Sequence, residues 1–410
     1  MFVGIDFGTT NSAVAVAADD GSVALVPLGG SSAGGAPHWR TVLYFEPSGG
    51  LSAGAPAIER YLATEGEGRL VQSIKSHLAS SSFKQTTIFG RRWPLEDMIA
   101  AYLRKVRAAA PFELGARAVV GRPVRYWGAE SPEDDARAVG RMTTALASAG
   151  FTEVVFEYEP VGAAARYAAR LAQEELILVA DFGGGTTDFS VIRVPRGEVL
   201  ATGGIGVSGD AFDARVIDAL VSPALGKGSR YRVDNMGGEA PVPAWLYGHL
   251  RRWHYLSFLK EESTMRLLDR VTQGALAPAA IEKFTRLVED DLGLPLHRAV
   301  EGAKVRLSVA DQGRVAVDAI ELDLPIARAQ FEGWLVEDLD AIDEVLADVL
   351  ARAGVVPDQI DRVFATGGTS LVPIVRARLA ARFGAAKLEG GEELTSVAWG
   401  LAARAREVFR

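Results

Sequence analysis

Asp181-Phe182-Gly183-Gly184-Gly185-Thr186-Thr187-Asp188 is the stretch on which the fold turns. Residues 176–179 run apolar into it and Ser190-Val191-Ile192-Arg193-Val194 runs out of it, so it reads as strand, glycine turn, strand. The same device stands near the N-terminus, where Val3-Gly4-Ile5 leads to Asp6-Phe7-Gly8-Thr9-Thr10 and residues 13–16 follow. Either hairpin alone would be ordinary turn chemistry. The recurrence of Asp, Gly and Thr-Thr together predicts an α/β protein of two similar lobes, each giving one turn to a shared cleft.

A Gly-Thr-Thr turn after a strand ending in Asp offers backbone N–H groups and hydroxyls to a phosphate, with no glycine side chain in the way. Asp6 and Asp181 then face the same anion. Carboxylates repel a triphosphate, but they hold waters on a Mg²⁺ that bridges its oxygens, so the pair reads as a nucleotide and metal site. A third element agrees with it. Val363-Phe364-Ala365-Thr366 is a strand, Gly367-Gly368 a turn, and a helix continues to about Phe383, which presents backbone and a helix N-terminus to an anion.

The remaining chain supports a globular reading. Its 410 residues exceed one ordinary domain, and 48% hydrophobic with 23% charged residues suits a sizeable core. The net charge of -8, with no Lys/Arg block, argues against nucleic acid; the absence of cysteine removes thiolate chemistry, and five scattered histidines do not suit zinc. With no basic leader and no run of about 18 apolar residues, the chain is expected in the cytoplasm, without a membrane contact. Its end at Arg410 carries no Pro-rich or acidic tail.

A buried strand over residues 118–124 stopped by Pro123, a helix from about Pro132 to Ala149, a short strand over 151–156 and an Ala-rich helix from Val161 complete the first half. Residues 30–60 read as loop or short-strand decoration. Residues 225–300 read as mainly helical, with Trp245, Leu246, Leu250, Trp253 and Leu256 as the inward stripe of a subdomain. The expected division is lobe I over 1–168, carrying 30–115 as a subdomain, with a C-terminal helix over about 395–410 packing back on it. Lobe II is expected over 169–394, with about 225–300 as a helical subdomain.

On these motifs the chain resembles the seventy-kilodalton heat-shock chaperones of the DnaK type, within the actin and sugar-kinase superfold. Gly4-Ile5-Asp6-Phe7-Gly8-Thr9-Thr10-Asn11-Ser12 is similar to that family's first phosphate motif and residues 181–188 to its second. Thr366-Gly367-Gly368-Thr369-Ser370 is similar to its adenosine motif, and Glu159-Pro160 before the Ala-rich helix to its connection between lobes. The resemblance implies an actin-like ATPase fold of two ribonuclease-H-like lobes, binding ATP or ADP with Mg²⁺ and K⁺. It implies that Lys75 sets the attacking water, that Glu159 orients water and links the lobes, and that Asp6, Asp181 and Asp188 hold metal largely through water, with Thr186 beside them. It further implies phosphate contacts from Gly8, Thr9, Thr10, Asn11, Gly183, Gly184, Gly185, Thr186 and Thr187. Gly209 and Asp210 fall where the family wraps phosphate and ribose, and Glu301, Lys304, Ser308, Gly367, Gly368 and Thr369 where it holds adenosine.

Two departures qualify this. Where the family sandwiches adenine between two arginines, this sequence has Val305 and Leu371, which forfeit guanidinium stacking of about 0.5–2 kcal/mol per contact. Nor does the sequence contain the family's peptide-binding domain, so the expected match is to short stand-alone members of the YegD type, with which Val120-Gly121-Arg122-Pro123 also agrees. The expectation is therefore a monomeric, weak ATPase whose lobe closure signals to a protein partner. A small-molecule phosphotransferase, an actin-like filament protein and a nucleotide binder without turnover are the alternatives.

Overall fold

Two sheets share one plan. In the computed structural model, which describes residues 1–28, 38–64, 67–168, 171, 173–233, 238–251, 256, 259–389 and 396–410, strand Phe2–Phe7 lies at the centre of the first sheet. On one side it pairs antiparallel with Asn11–Ala17, which pairs with Val23–Leu25; on the other it runs parallel to Arg117–Arg122, which runs parallel to Glu153–Tyr158. The second sheet repeats this around Glu175–Phe182. An antiparallel meander through Thr187–Val194 and Glu198–Ile205 lies on one side, and the parallel strands Arg362–Thr366 and Leu388–Glu389 lie on the other. The echoed motif in the sequence is thus the first turn of a repeated five-strand topology, the α/β arrangement read from it.

Strand alternation decides what covers each face. Val3, Ile5 and Phe7 are buried in a large core with Met98, Ile99, Tyr102 and Leu103 of helix Leu95–Ala109. Ala13, Ala15 and Ala17 instead pack on Ala398 and Ala402 of helix Ser396–Phe409. Small residues on both partners allow that helix to lie close. It also crosses helix Glu159–Ala168 almost backbone to backbone, since a Cβ on Gly400 would stand 1.9 Å from the Gly162 carbonyl oxygen.

The chain divides into two compact units. The first comprises Met1–Gly206, Val345–Ser370 and Arg378–Arg410, and holds both sheets. The second comprises Val207–Glu344 and Leu371–Ala377. Its helices Glu262–Gly274, Pro278–Glu289 and Gly293–Val309 bury Leu268, Val271, Ile281, Phe284 and Val300, and Tyr247 stacks on Phe284 at 4.7 Å.

Three local readings change. Residues 225–300 are not helical throughout, because Arg230–Val233 and Gly238–Pro241 form a hairpin. The expected stripe is not one helix: Trp245–Gly248 gives way to a 3₁₀ turn at His249–Arg251, Leu246, Leu250 and Leu256 are buried while Trp245 is half exposed, and Trp253 lies outside the described residues. Within 38–63, helix Ala55–Ala63 follows three short strands. Among the described residues no helix is long and apolar enough to cross a membrane.

Candidate functional site

The two glycine turns are matched in span, though of their residues only the glycine after each Phe coincides, Gly8-Thr9-Thr10-Asn11 standing against Gly183-Gly184-Gly185-Thr186. Phe7 faces Ser12 across the first hairpin and Phe182 faces Thr187 across the second, so each turn spans four residues between its closing pair. The carbonyl of the residue after each Phe accepts a hydroxyl from a distant threonine. Thr41 Oγ1 donates to Gly8 O at 2.8 Å, and Thr369 Oγ1 donates to Gly183 O at 3.1 Å. Thr41 Oγ1 also lies 2.8 Å from Ser12 Oγ, and Gly183 N–H closes the second turn on Thr186 O at 2.9 Å. Thr41 escaped the sequence reading because a residue 33 positions from its partner leaves no local pattern. Gly367 adopts φ +80°, and a Cβ there would stand 2.1 Å from Phe182 O, so only glycine lets the third motif lie against the second turn.

Behind the turns the charged side chains gather. Lys75 belongs to the 3₁₀ turn Ile74–His77, which starts after Ser73 in the left-handed region at φ 55°. Such a conformation costs a non-glycine residue of order 1–2 kcal/mol, and here it stands two residues ahead of a functional candidate. Lys75 Nζ donates to Glu159 Oε1 at 2.6 Å, with side chains 11% and 16% exposed. Thr366 Oγ1 donates to Asp181 Oδ1 at 2.8 Å, and Asp188 faces Asp181 across the hairpin.

Burial pushes the Asp6 carboxyl up to about 8, helped by repulsion from Glu159 and Asp181 and opposed by Lys75. Burial likewise lifts Asp188 to about 7, with Asp181 adding to the rise. Asp181 is raised by burial, while the Thr366 hydroxyl pulls it back down. Burial alone would lower Lys75, but Glu159 and Asp6 hold it above its ordinary value. Asp6 and Asp188 each lie within electrostatic reach of Glu159 and Asp181 with Lys75 as the ammonium among them, so ionising all four carboxyls calls for a further cation. Among the described residues no three His, Cys, Asp or Glu side chains cluster closely enough to ligate a metal directly. The donor set therefore suits an ion that keeps its water shell, as Mg²⁺ does.

A cavity of about 390 Å³ adjoins these groups, lined by Glu159, Asp181, Asp188 and Thr366 and, farther along, by Gly203 and Arg352. The remaining site candidates are held in the second unit. Gly209 and Asp210 open helix Gly209–Val216, and Glu301, Lys304, Val305 and Ser308 lie along Gly293–Val309. Lys304 Nζ is paired with Asp213 Oδ1 at 2.7 Å and donates to Gly209 O at 3.2 Å, which ties these two helices together. Ser308 Oγ donates to Lys304 O, and Val305 and Leu371 are 63% and 44% exposed.

A family model described as "Hsp70 protein" matches residues 62–235 and 288–408. The chain is 27% identical over 389 residues to "Chaperone protein DnaK" of Thermosipho melanesiensis, covering 93% of this chain and 55% of that protein. It is 27% identical over 410 residues to the protein of that name from Thermosipho africanus, covering 98% and 58%, and 26% identical to that of Thermotoga petrophila, covering 93% and 55%. The chain thus spans little more than half the length of these relatives.

Proposed function

Because this chain belongs to the Hsp70 family and has the family's actin-like α/β fold, we propose that it binds ATP and hydrolyses it slowly, attack by water falling in line on the γ-phosphate. The observation that carries this is the Lys75–Glu159 pair, 2.6 Å apart, among carboxylates behind two glycine turns braced alike by threonine. Phosphoryl transfer asks little covalent chemistry of a protein, so positioning and charge neutralisation account for most of the rate.

Backbone N–H groups of residues 8–11 and 184–186 bind phosphate oxygens, with the Thr187 hydroxyl beside them, and the rigidity of the turns is set by Thr41, Thr369 and the Gly183 N–H bond to Thr186 O. Lys75 brings positive charge to the γ-phosphate oxygens and orients the water, while Glu159 holds the ammonium in place. Asp6, Asp181 and Asp188 hold the hydration shell of Mg²⁺, which when bound neutralises phosphate charge, and Asp188 with Thr186 also suits K⁺. Glu301, Lys304, Ser308 and the Gly367-Gly368 turn contact the nucleoside, with Val305 and Leu371 as aliphatic walls. Lobe closure on nucleotide is the signal passed to a protein partner.

The test is Mg·ATP turnover by the wild type and by Lys75→Ala. Loss of one such electrostatic group costs about 10²–10³-fold in kcat. Equal rates with intact ATP binding would remove Lys75 from this role, and no turnover by the wild type would remove hydrolysis. Nucleotide-dependent capture from a cell extract addresses the partner. The cavity beside Asp188 favours a second reading, transfer of the phosphate to a small alcohol; radiolabel appearing on an added alcohol instead of free phosphate would select it.

A further inference from the structure

Arg122 is the last residue of its strand, and its register partner on the neighbouring parallel strand is Tyr158. The residue after Tyr158 is Glu159, the partner of Lys75. After Arg122 the chain bends at Pro123 and returns with Tyr126, whose side chain is buried and lies within electrostatic reach of both Lys75 and Glu159. The Arg122 guanidinium lies 5.3 Å from the Tyr158 ring centroid and 5.6 Å from that of Tyr126. It donates to Pro123 O at 3.2 Å and to Val124 O at 3.4 Å, and it is paired with Asp135. Asp135 also accepts from the Tyr126 N–H at 3.0 Å. Asp135 is fixed in turn, because helix Pro132–Ser148 opens with a capping box between Ser131 and Asp134.

One planar cation therefore touches both segments that flank the Lys75–Glu159 pair. Lys75 arrives on a different stretch of chain, so the pair forms only where those segments meet it. Arginine suits this duty because its plane stacks on aromatic rings while its edge forks to a carboxylate, which lysine cannot do at once. An ordinary strand-end ion pair would be exposed and weak. Arg122 and Asp135 are instead 17% and 22% exposed, and the guanidinium is held by two rings, two carbonyls and a carboxylate.

We infer that Arg122 is a positioning residue for the Lys75–Glu159 pair: held between Tyr126 and Tyr158 and tied to Asp135, it sets where Glu159 meets the ammonium. Its catalytic consequence rests on the hydrolytic reading above, but its geometric consequence does not, and the experiment separates the two.

Native protein is acylated at its amines with an isotope-coded reagent at fixed pH, and the Lys75 peptide is quantified by mass spectrometry. In Arg122→Gln, which gives up both ring contacts and the Asp135 pair, the Lys75 rate rises about 5-fold as Glu159 holds the ammonium less well. Lys304, 13% exposed and paired with Asp213, is the internal reference and stays unchanged. In the same variant kcat for ATP falls about 10-fold with KM held, the signature of a group that acts in the transition state through placement. Arg122→Lys keeps the charge but loses the stacked plane, and gives an intermediate rise. The exposed Arg117→Gln changes neither readout.

An unchanged Lys75 rate in a folded Arg122 variant overturns the inference, whatever the activity. So does a parallel rise at Lys304, which would mark general loosening, or failure of both Arg122 variants to fold, which would make the residue a scaffold element. A wild type that turns over no ATP sinks the hydrolytic reading and leaves the acylation result to decide this one.

Discussion

The two hairpins are alike in backbone and unlike one step down the ladder. Both close on a Phe, both turn through four residues, and both have a carbonyl gripped by a threonine hydroxyl. At the next register position, however, Asp6 faces Ala13 and Asp181 faces Asp188. Ala13 is buried against helix Ser396–Phe409, where a carboxylate would be a charge without solvent or partner. Asp188 opens instead on the cavity. The repeat thus sets one turn twice, while the covering of each face decides which hairpin carries a second carboxylate.

Making the second hairpin resemble the first should have the largest effect. In Asp188→Ala, hydrolysis of Mg·ATP falls about 10–100-fold and needs a higher Mg²⁺ or K⁺ concentration, read from cation titrations of the rate. A variant with the wild-type cation profile would show that the extra carboxylate is idle.

The shared brace gives the next effect. Thr41→Val and Thr369→Val each strip a carbonyl of its donor and lower unfolding free energy by about 1–2 kcal/mol, measured as urea midpoints at constant m. Thr41→Val should cost more, since Ser12 Oγ loses a partner too. Unequal losses in the other order would break the equivalence of the turns.

pH sharpens the comparison further. With Asp6 raised to about 8 and Asp188 to about 7 from 3.8, the folded protein between about pH 4 and 8 keeps protons that the unfolded chain has lost. These groups therefore stabilise least at the alkaline end of that window, and metal-free stability attributable to them falls as pH rises through it. The slope should be shallower in Asp188→Ala, and Mg·ATP should flatten it in the wild type.

The smallest effect per residue changed lies away from the hairpins, where Val305→Arg with Leu371→Arg should tighten ATP by about 0.5–2 kcal/mol for each new stacking contact, read by calorimetry.

The hairpins and the Gly367-Gly368 turn were legible because glycine, threonine and branched residues write their geometry locally. The repeat of Asp-Phe-Gly with Thr-Thr even disclosed the duplicated sheet. Lys75 and Glu159 were named by resemblance alone: 84 residues separate them, and nothing in Ser73-Ile74-Lys75-Ser76 distinguishes a buried lysine from a solvated one. Thr41 and the Arg122 sandwich stayed hidden for the same reason, since a hydroxyl or guanidinium acquires its role from whatever the fold sets beside it. Helix Leu95–Ala109, whose Leu95, Met98, Ile99, Tyr102, Leu103 and Val106 repeat at helical spacing, was readable and went unread.

The bare contact of Gly162 with Gly400 has a mechanical consequence. At their closest point the two helices meet backbone to backbone, flanked by Ala165, Val397 and Leu401, so that point acts as a fulcrum. Glu159 stands three residues from it, a lever of about 4.5 Å along the helix, so a pivot of about 10° about the crossing shifts that end of the helix by only about 0.8 Å. That displacement is small against the dimensions of a lobe yet large against a 2.6 Å hydrogen bond, so turning at this crossing would be felt first by the ion pair.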